Sequence, residues 1–300
     1  MANKVVNVEV FPVIDEERTY LHQITGPRGG LRAYQKPGSN DPLWSVTTII
    51  DRTVAKPALM NWYNKQGRAA VAEKLTPHIG EKLTEEMLRQ ALAEAAKRPE
   101  KTKDEAANLG TRAHDLISTY ITSRIEDSGI SVVVPPDLQA VWDSFHEWEE
   151  TAGIDRYIKT EFAVYSEVWK YAGSVDALAW SRGGKYLVLD WKTGKSGPYP
   201  EQAMQVSAYA NALSFPISVL ENISSNDWDT WENIEPWVIR LGKDVAEFEA
   251  KQVTNPQLAL DGFLHAMEMW YSLGLPGLTS TAKKELAEHF SLPEDIPSVW

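Results

Sequence analysis

Apolar positions recur along the chain with two periods, and the changes of period mark its organisation. Apolar and polar residues alternate over 157–165, 171–180 and 185–192, which predicts three successive strands. Short β-like runs at 5–13 and 43–50 lie around a glycine- and proline-rich loop at 26–30 and 37–38. A 3.6-residue period predicts helices at 57–74, where Pro57 fits the first turn, and over the charged, alanine-rich 83–98, which Pro99 is expected to end. Further helices are predicted at 104–126, 137–150 and 199–213. The stripe in 104–126 is Ala106, Leu109, Ala113, Leu116, Ile117, Tyr120 and Ile121, and Gly110 and His114 lie one turn apart on its flank. After a serine- and asparagine-rich loop come a strand at 236–241 and a long helix from about 245 to 271. A linker at 274–277 then leads to a tail with a short helix at 282–290. These alternating signals predict a single α/β domain over 1–275, with 276–300 as its C-terminal tail.

The composition narrows the chemistry. With 300 residues, 43% of them apolar, the chain can bury a sizeable core. It has no cysteine, which excludes disulfides, thiolate zinc sites, cysteine nucleophiles and an iron–sulfur cluster on cysteines. No stretch is long and apolar enough to span a membrane, so a cytoplasmic protein without a membrane partner is expected. The net charge of −12 argues against broad, sequence-independent polyanion binding. It leaves room for an enzyme whose carboxylates take a divalent cation.

The chemistry concentrates at the predicted hairpin. Asp190 and Lys192 share one strand face with Tyr186 and Val188, while Leu187, Leu189 and Trp191 face the other way. If the connection is a three-residue loop, Arg182 to Gly184, then Ser181 pairs with Lys185 and Asp176 stands directly opposite Asp190. Like charges so placed repel, and a divalent cation between them removes the penalty. Carboxylates with a neutral imidazole suit Mg²⁺ or Mn²⁺, which polarise a phosphoryl oxygen and acidify bound water. Lys192 then acts either as a cation that steadies the transition state or as a base, and the sequence leaves both open. On the following helix Gln205 and Tyr209 are four residues apart, so both can reach one substrate group. Singly, each of these signals is weak, since Asp-x-Lys at a strand end also suits a surface ion pair.

Together, Gly110 with His114, Glu161, Gly173-x-x-Asp176, Asp190-x-Lys192 followed by Thr193-Gly194-Lys195, and Gln205-x-x-x-Tyr209 resemble the RecB-like branch of the PD-(D/E)XK nucleases. The likeness covers residues 110–209, and Trp44 to Ile49 is similar to the N-terminal part of phage-type exonucleases of that branch. The resemblance implies a restriction-endonuclease-like α/β core at about 104–241, with a central mixed sheet flanked by helices and additional N-terminal helices. It implies His114, Asp176, Asp190 and the Trp191 carbonyl as metal ligands, with Glu161 as a further one, and Lys192 as the catalytic lysine. Gln205 and Tyr209 would hold the substrate strand, helped by Arg112, Thr193 and Lys195. The cofactor would be Mg²⁺ or Mn²⁺ without an iron–sulfur cluster. The implied partners are linear DNA and a recombinase or annealing protein. The expected activity is a metal-dependent DNA exonuclease of phage or bacterial recombination, repair or genome processing. An endonuclease of the same superfamily and a non-catalytic nucleic-acid-binding protein are the alternatives.

Overall fold

A mixed sheet of nine strands, among the described residues, carries the fold in the computed structural model of the chain. The structure describes residues 7–12, 20–25, 31–36, 38–39, 41–129, 131–213 and 231–273. The sheet begins with β1 (Asn7–Pro12), β2 (Tyr20–Thr25), β3 (Arg32–Gln35) and β4 (Leu43–Ser45), each antiparallel to the one before. Helices α1 (Val46–Thr53), α2 (Pro57–Leu75), α3 (Glu85–Ile125) and α4 (Gln139–Thr151) follow. Then come β5 (Ile154–Ser166), β6 (Tyr171–Ser181) and β7 (Tyr186–Thr193), an antiparallel meander. Helix α5 (Pro200–Leu213) crosses to β8 (Ile234–Leu241), which is parallel to β7, and β9 (Phe248–Gln252) and α6 (Pro256–Ser272) complete the described chain. This mixed sheet with flanking helices is the expected α/β class and is consistent with a restriction-endonuclease-like core.

The chain divides into two compact units, Met1–Val54 with Ala113–Trp300, and Ala55–Arg112. In the first, one face of the sheet buries Trp44, Phe162, Tyr171, Tyr186 and Val188 with residues of α1, α5 and α6 in one cluster. Trp191 points the other way and meets Phe145 and Trp148 of α4 edge to face, at ring separations of 5.5 and 4.9 Å. The alternation read from β7 therefore holds, with Tyr186 and Val188 on one side and Trp191 on the other. In the second unit α2 and the first part of α3 bury Ala70 and Ala91, and Arg98 forks onto Glu73 at 2.7 and 2.9 Å.

The turn between β6 and β7 has the expected register. Ser181 N–H donates to the Lys185 carbonyl (2.9 Å), Gly184 takes a φ of 75°, and Trp180 pairs with Tyr186. Continued by one step past Ala177 and Leu189, that ladder sets Asp176 opposite Asp190.

Strand β6 also explains where the sheet opens. One of its edges is taken by β5 along its whole length. Its other edge pairs with β7 over Ala177 to Trp180 and with β4 at Tyr171 and Ala172. Between these partners, Gly173 to Asp176 have no ladder neighbour on that edge among the described residues. The sheet is split there, and Asp176 stands at the split.

Three expectations need correction. Residues 43–50 are not one strand: after Ser45 the chain turns into α1, because Val46, Ile49 and Ile50 bury one helical stripe that outweighs the extended preference of their β-branched side chains. Pro99 does not end a helix. Helix α3 runs through it, although proline removes an N–H from the ladder at a cost of about 3 kcal/mol. Strong helix formers on both sides, with pairs such as Arg89 to Glu85 at 2.6 Å, sustain it. Gly67 of α2 lies against the Ala95 carbonyl, the acceptor that Pro99 leaves without its usual donor. The helix predicted from 245 begins only at Pro256. Phe248–Gln252 pairs with β8 instead, and Asn255 caps α6 by accepting from Leu258 N–H at 3.2 Å. Strands β2, β3 and β9 were not foreseen. The loop expected at 26–30, the serine- and asparagine-rich loop after 213, the linker at 274–277 and the tail helix at 282–290 lie outside the described residues. No helix among the described residues is long and apolar enough to cross a membrane.

Candidate metal centre

The ladders of β5, β6 and β7 bring three acids into one row. Thr160 pairs with Ala177 and Phe162 with Val175, so Glu161 stands beside Asp176, and Asp190 lies one step beyond the last β6–β7 pair, Ala177 with Leu189. Glu161 has a φ of 46°, a left-handed conformation that costs a non-glycine residue about 1–2 kcal/mol. Beside it the Thr160 hydroxyl donates to the Asp176 carbonyl at 2.8 Å.

His114, from α3, closes the row. Its Nδ1 lies 3.4 Å from Asp176 Oδ1 and 3.7 Å from Glu161 Oε1. Ligand atoms of His114, Glu161 and Asp176 all fall within 4.8 Å of one another. Burial opposes a charge on the imidazole, but Asp176 and Glu161 outweigh it and raise the His114 pKa to about 10. Burial likewise pushes Glu161 up, while the His114 charge, the Lys192 charge and the Trp191 N–H overcome burial at Asp176 and lower it.

Asp190 is almost fully buried and is held from two sides. Its Oδ1 accepts from Gln205 Nε2 at 2.9 Å, and its Oδ2 is 2.6 Å from the Lys192 ammonium. The latter contact is a close ion pair. Burial pushes the Asp190 pKa up to about 6, against the pull of Lys192. Burial opposes the charge on Lys192 too, but Asp190 and Asp176 prevail and hold its proton more tightly.

Asp176 is anchored from the main chain. Its Oδ2 accepts from Trp191 N–H at 2.6 Å, so the peptide between Asp190 and Lys192 is tied to the neighbouring strand. Gln205 uses Nε2 twice, donating to Asp190 Oδ1 and to the Tyr209 hydroxyl at 3.1 Å. With both amide hydrogens engaged, Gln205 braces Asp190, a role not read from the sequence. Of the other residues singled out, Thr193 ends β7 half-buried, and Lys195 is exposed and paired with Asp244 at 2.8 Å. Arg112 is half-buried and belongs to the second unit.

One imidazole and two carboxylates at these separations can hold a divalent metal ion. With no cysteine in the chain, a cluster on cysteine sulfurs is excluded. Arg32 was missed by the sequence reading. It sits on β3, its charge acts on both Lys192 and Tyr209, and a lone arginine after a glycine-rich loop gives no periodic signal.

No family model matches the chain, and no curated protein matches it. Among solved structures, the crystal structure of SSO0001 aligns with 12% identity over 67% of this chain and 84% of that one, at a TM-score of 0.30. The functional reading therefore rests on the residues of the site.

Proposed function

We propose that the protein is a divalent-metal-dependent deoxyribonuclease, acting as an exonuclease on linear DNA in recombination, repair or genome processing. The observation that carries this reading is the juxtaposition of the His114, Glu161 and Asp176 group with the Asp190–Lys192 ion pair of 2.6 Å. His114, Glu161 and Asp176 would hold Mg²⁺ or Mn²⁺, with Asp190 and the Trp191 carbonyl as further donors. The ion supplies Lewis acidity at a phosphate oxygen and lowers the pKa of water.

The chain's own residues do the rest. Lys192 presents an ammonium at the same place, suited to the negative charge that builds on the phosphoryl oxygens as water adds and the ester oxygen departs. Asp190 fixes that ammonium, and Gln205 with Tyr209 fixes Asp190. A rigid, half-enclosed row of this kind supports hydrolysis better than simple DNA binding, since three acids in a row repel a phosphate unless a cation intervenes.

The test is cleavage of labelled linear DNA with Mg²⁺ or Mn²⁺. Wild-type protein should shorten linear strands, stop on addition of chelator, and leave closed circular DNA intact. Lys192→Ala should abolish cleavage and retain DNA binding. Normal cleavage by that variant refutes the assignment of the site, and cutting of the closed circle replaces the exonuclease with an endonuclease.

A further inference from the structure

The split in the sheet has a second, basic side. Arg32 lies at the start of β3, and the pairing of Ala33 with Trp44 sets it opposite Ser45. Ser45 in turn lies beside Ala172, the residue before the unpaired stretch of β6 that leads to Asp176. The Arg32 Nη2 donates to the Thr47 hydroxyl at 3.0 Å, and that hydroxyl also meets Ser45 Oγ at 2.9 Å. The Arg32 main-chain N–H donates to Thr48 Oγ1 at 2.9 Å. The Thr47 hydroxyl thus holds the tip of this side chain, and Thr48 holds its main chain.

The guanidinium is half-buried, and among the described residues no carboxylate pairs with it. Arginine carries five N–H donors, and the described hydrogen bonds of this guanidinium employ Nη2 alone. Its charge is close enough to act on Lys192 and on the Tyr209 phenol. A guanidinium held by a neutral hydroxyl, on the strand beside the split that leads to Asp176, suits a phosphate receptor.

We propose that Arg32, oriented by Thr47, binds a backbone phosphate of the substrate strand next to the one being cut. This rests on the nuclease reading. Arg32 is a positioning residue here, and it takes no part in bond making or breaking.

Two measurements separate this inference from the reading beneath it. Failure of the wild type to cut linear DNA with Mn²⁺ removes both. Where the wild type cuts, Arg32→Gln, which keeps a donor for Thr47 but loses the charge, should raise KM about tenfold with kcat little changed, as expected when binding common to ground and transition states is lost. The same change, in a Lys192→Ala background that leaves the strand uncut, should flatten the dependence of log K on log salt by about 0.7 for a single-stranded oligonucleotide. Arg32→Lys should keep the salt slope and raise KM less. An unchanged KM and slope overturn the proposal, and so does a fallen kcat with a wild-type slope, which marks a purely structural arginine. If Arg32→Gln does not fold, Thr47→Val serves in its place: a higher KM with an unchanged slope supports the orienting contact, and a wild-type KM overturns it.

Discussion

Gly173 and Tyr209 are packed so closely that a Cβ on the glycine would lie 2.2 Å from Cε1 of the ring. The tyrosine is almost fully buried, and its hydroxyl accepts from Gln205, which in turn holds Asp190. The glycine three residues before Asp176 and the tyrosine four residues after Gln205 are therefore halves of one contact. Helix α5 can approach the sheet at this point only where β6 has no side chain.

Gly173→Ala should accordingly push α5 away from β6. Overpacking of this kind costs about 1–3 kcal/mol, to be read as a fall in the urea midpoint. Shrinking the ring in Gly173→Ala with Tyr209→Leu should recover part of the loss. A single variant as stable as wild type would show that the ring has room to move.

Glu161 stores strain for the sake of its carboxylate. Glu161→Gly suits a φ of 46° and removes the ligand, whereas Glu161→Ala removes the ligand and keeps the strain. The glycine variant should be the more stable of the two by about 1 kcal/mol, and both should bind Mn²⁺ more weakly by calorimetry. Equal stabilities would mean that the left-handed turn at 161 carries no penalty.

Divalent cations should stabilise the fold. At a hundred times its Kd, Mn²⁺ should add about 2.7 kcal/mol to the unfolding free energy, and chelator should take it away. His114→Ala and Asp176→Asn should each blunt this response in a thermal melt. A melt indifferent to Mn²⁺ would count against the metal centre itself, independently of any nuclease assay.

Trp148 braces the strand that carries Asp190 and Lys192, from the face opposite their carboxylate row. Its ring lies 4.9 Å from that of Trp191, and both are almost fully buried. Trp148→Ala should cost about 3–5 kcal/mol, measured by chemical denaturation, whereas Trp169→Ala, on an exposed turn, should change stability by about 0.5 kcal/mol or less.

The meander and its site were legible because they depend on local pattern. Alternation over β6 and β7, with Gly183 and Gly184 between them, was enough to set Asp176 opposite Asp190. Elements decided by tertiary partners were not. Residues 248–252 contain good helix formers, yet β8 offers an unpaired edge and recruits them as a strand, while the helix-start signal at Asn255-Pro256 was there to be read. Residues 46–50 are rich in β-branched side chains, and only the 46, 49, 50 spacing betrays the helix. Arg32 could not be placed at the site because β3 reaches it through β4, whose parallel seat on β6 leaves no trace in either strand's own sequence.

That seat has a consequence for the order of events as the chain folds. Pairing of Trp44 with Tyr171 joins segments far apart in the sequence, and such contacts close long loops and form late. The β6–β7 pairing closes a tight turn, whereas the β4–β6 seam, with Arg32 on the strand beside it, closes a far longer loop. The arginine side of the split therefore depends on a contact of long sequence separation, whereas the β6–β7 hairpin that carries Asp176 and Asp190 depends on a short one.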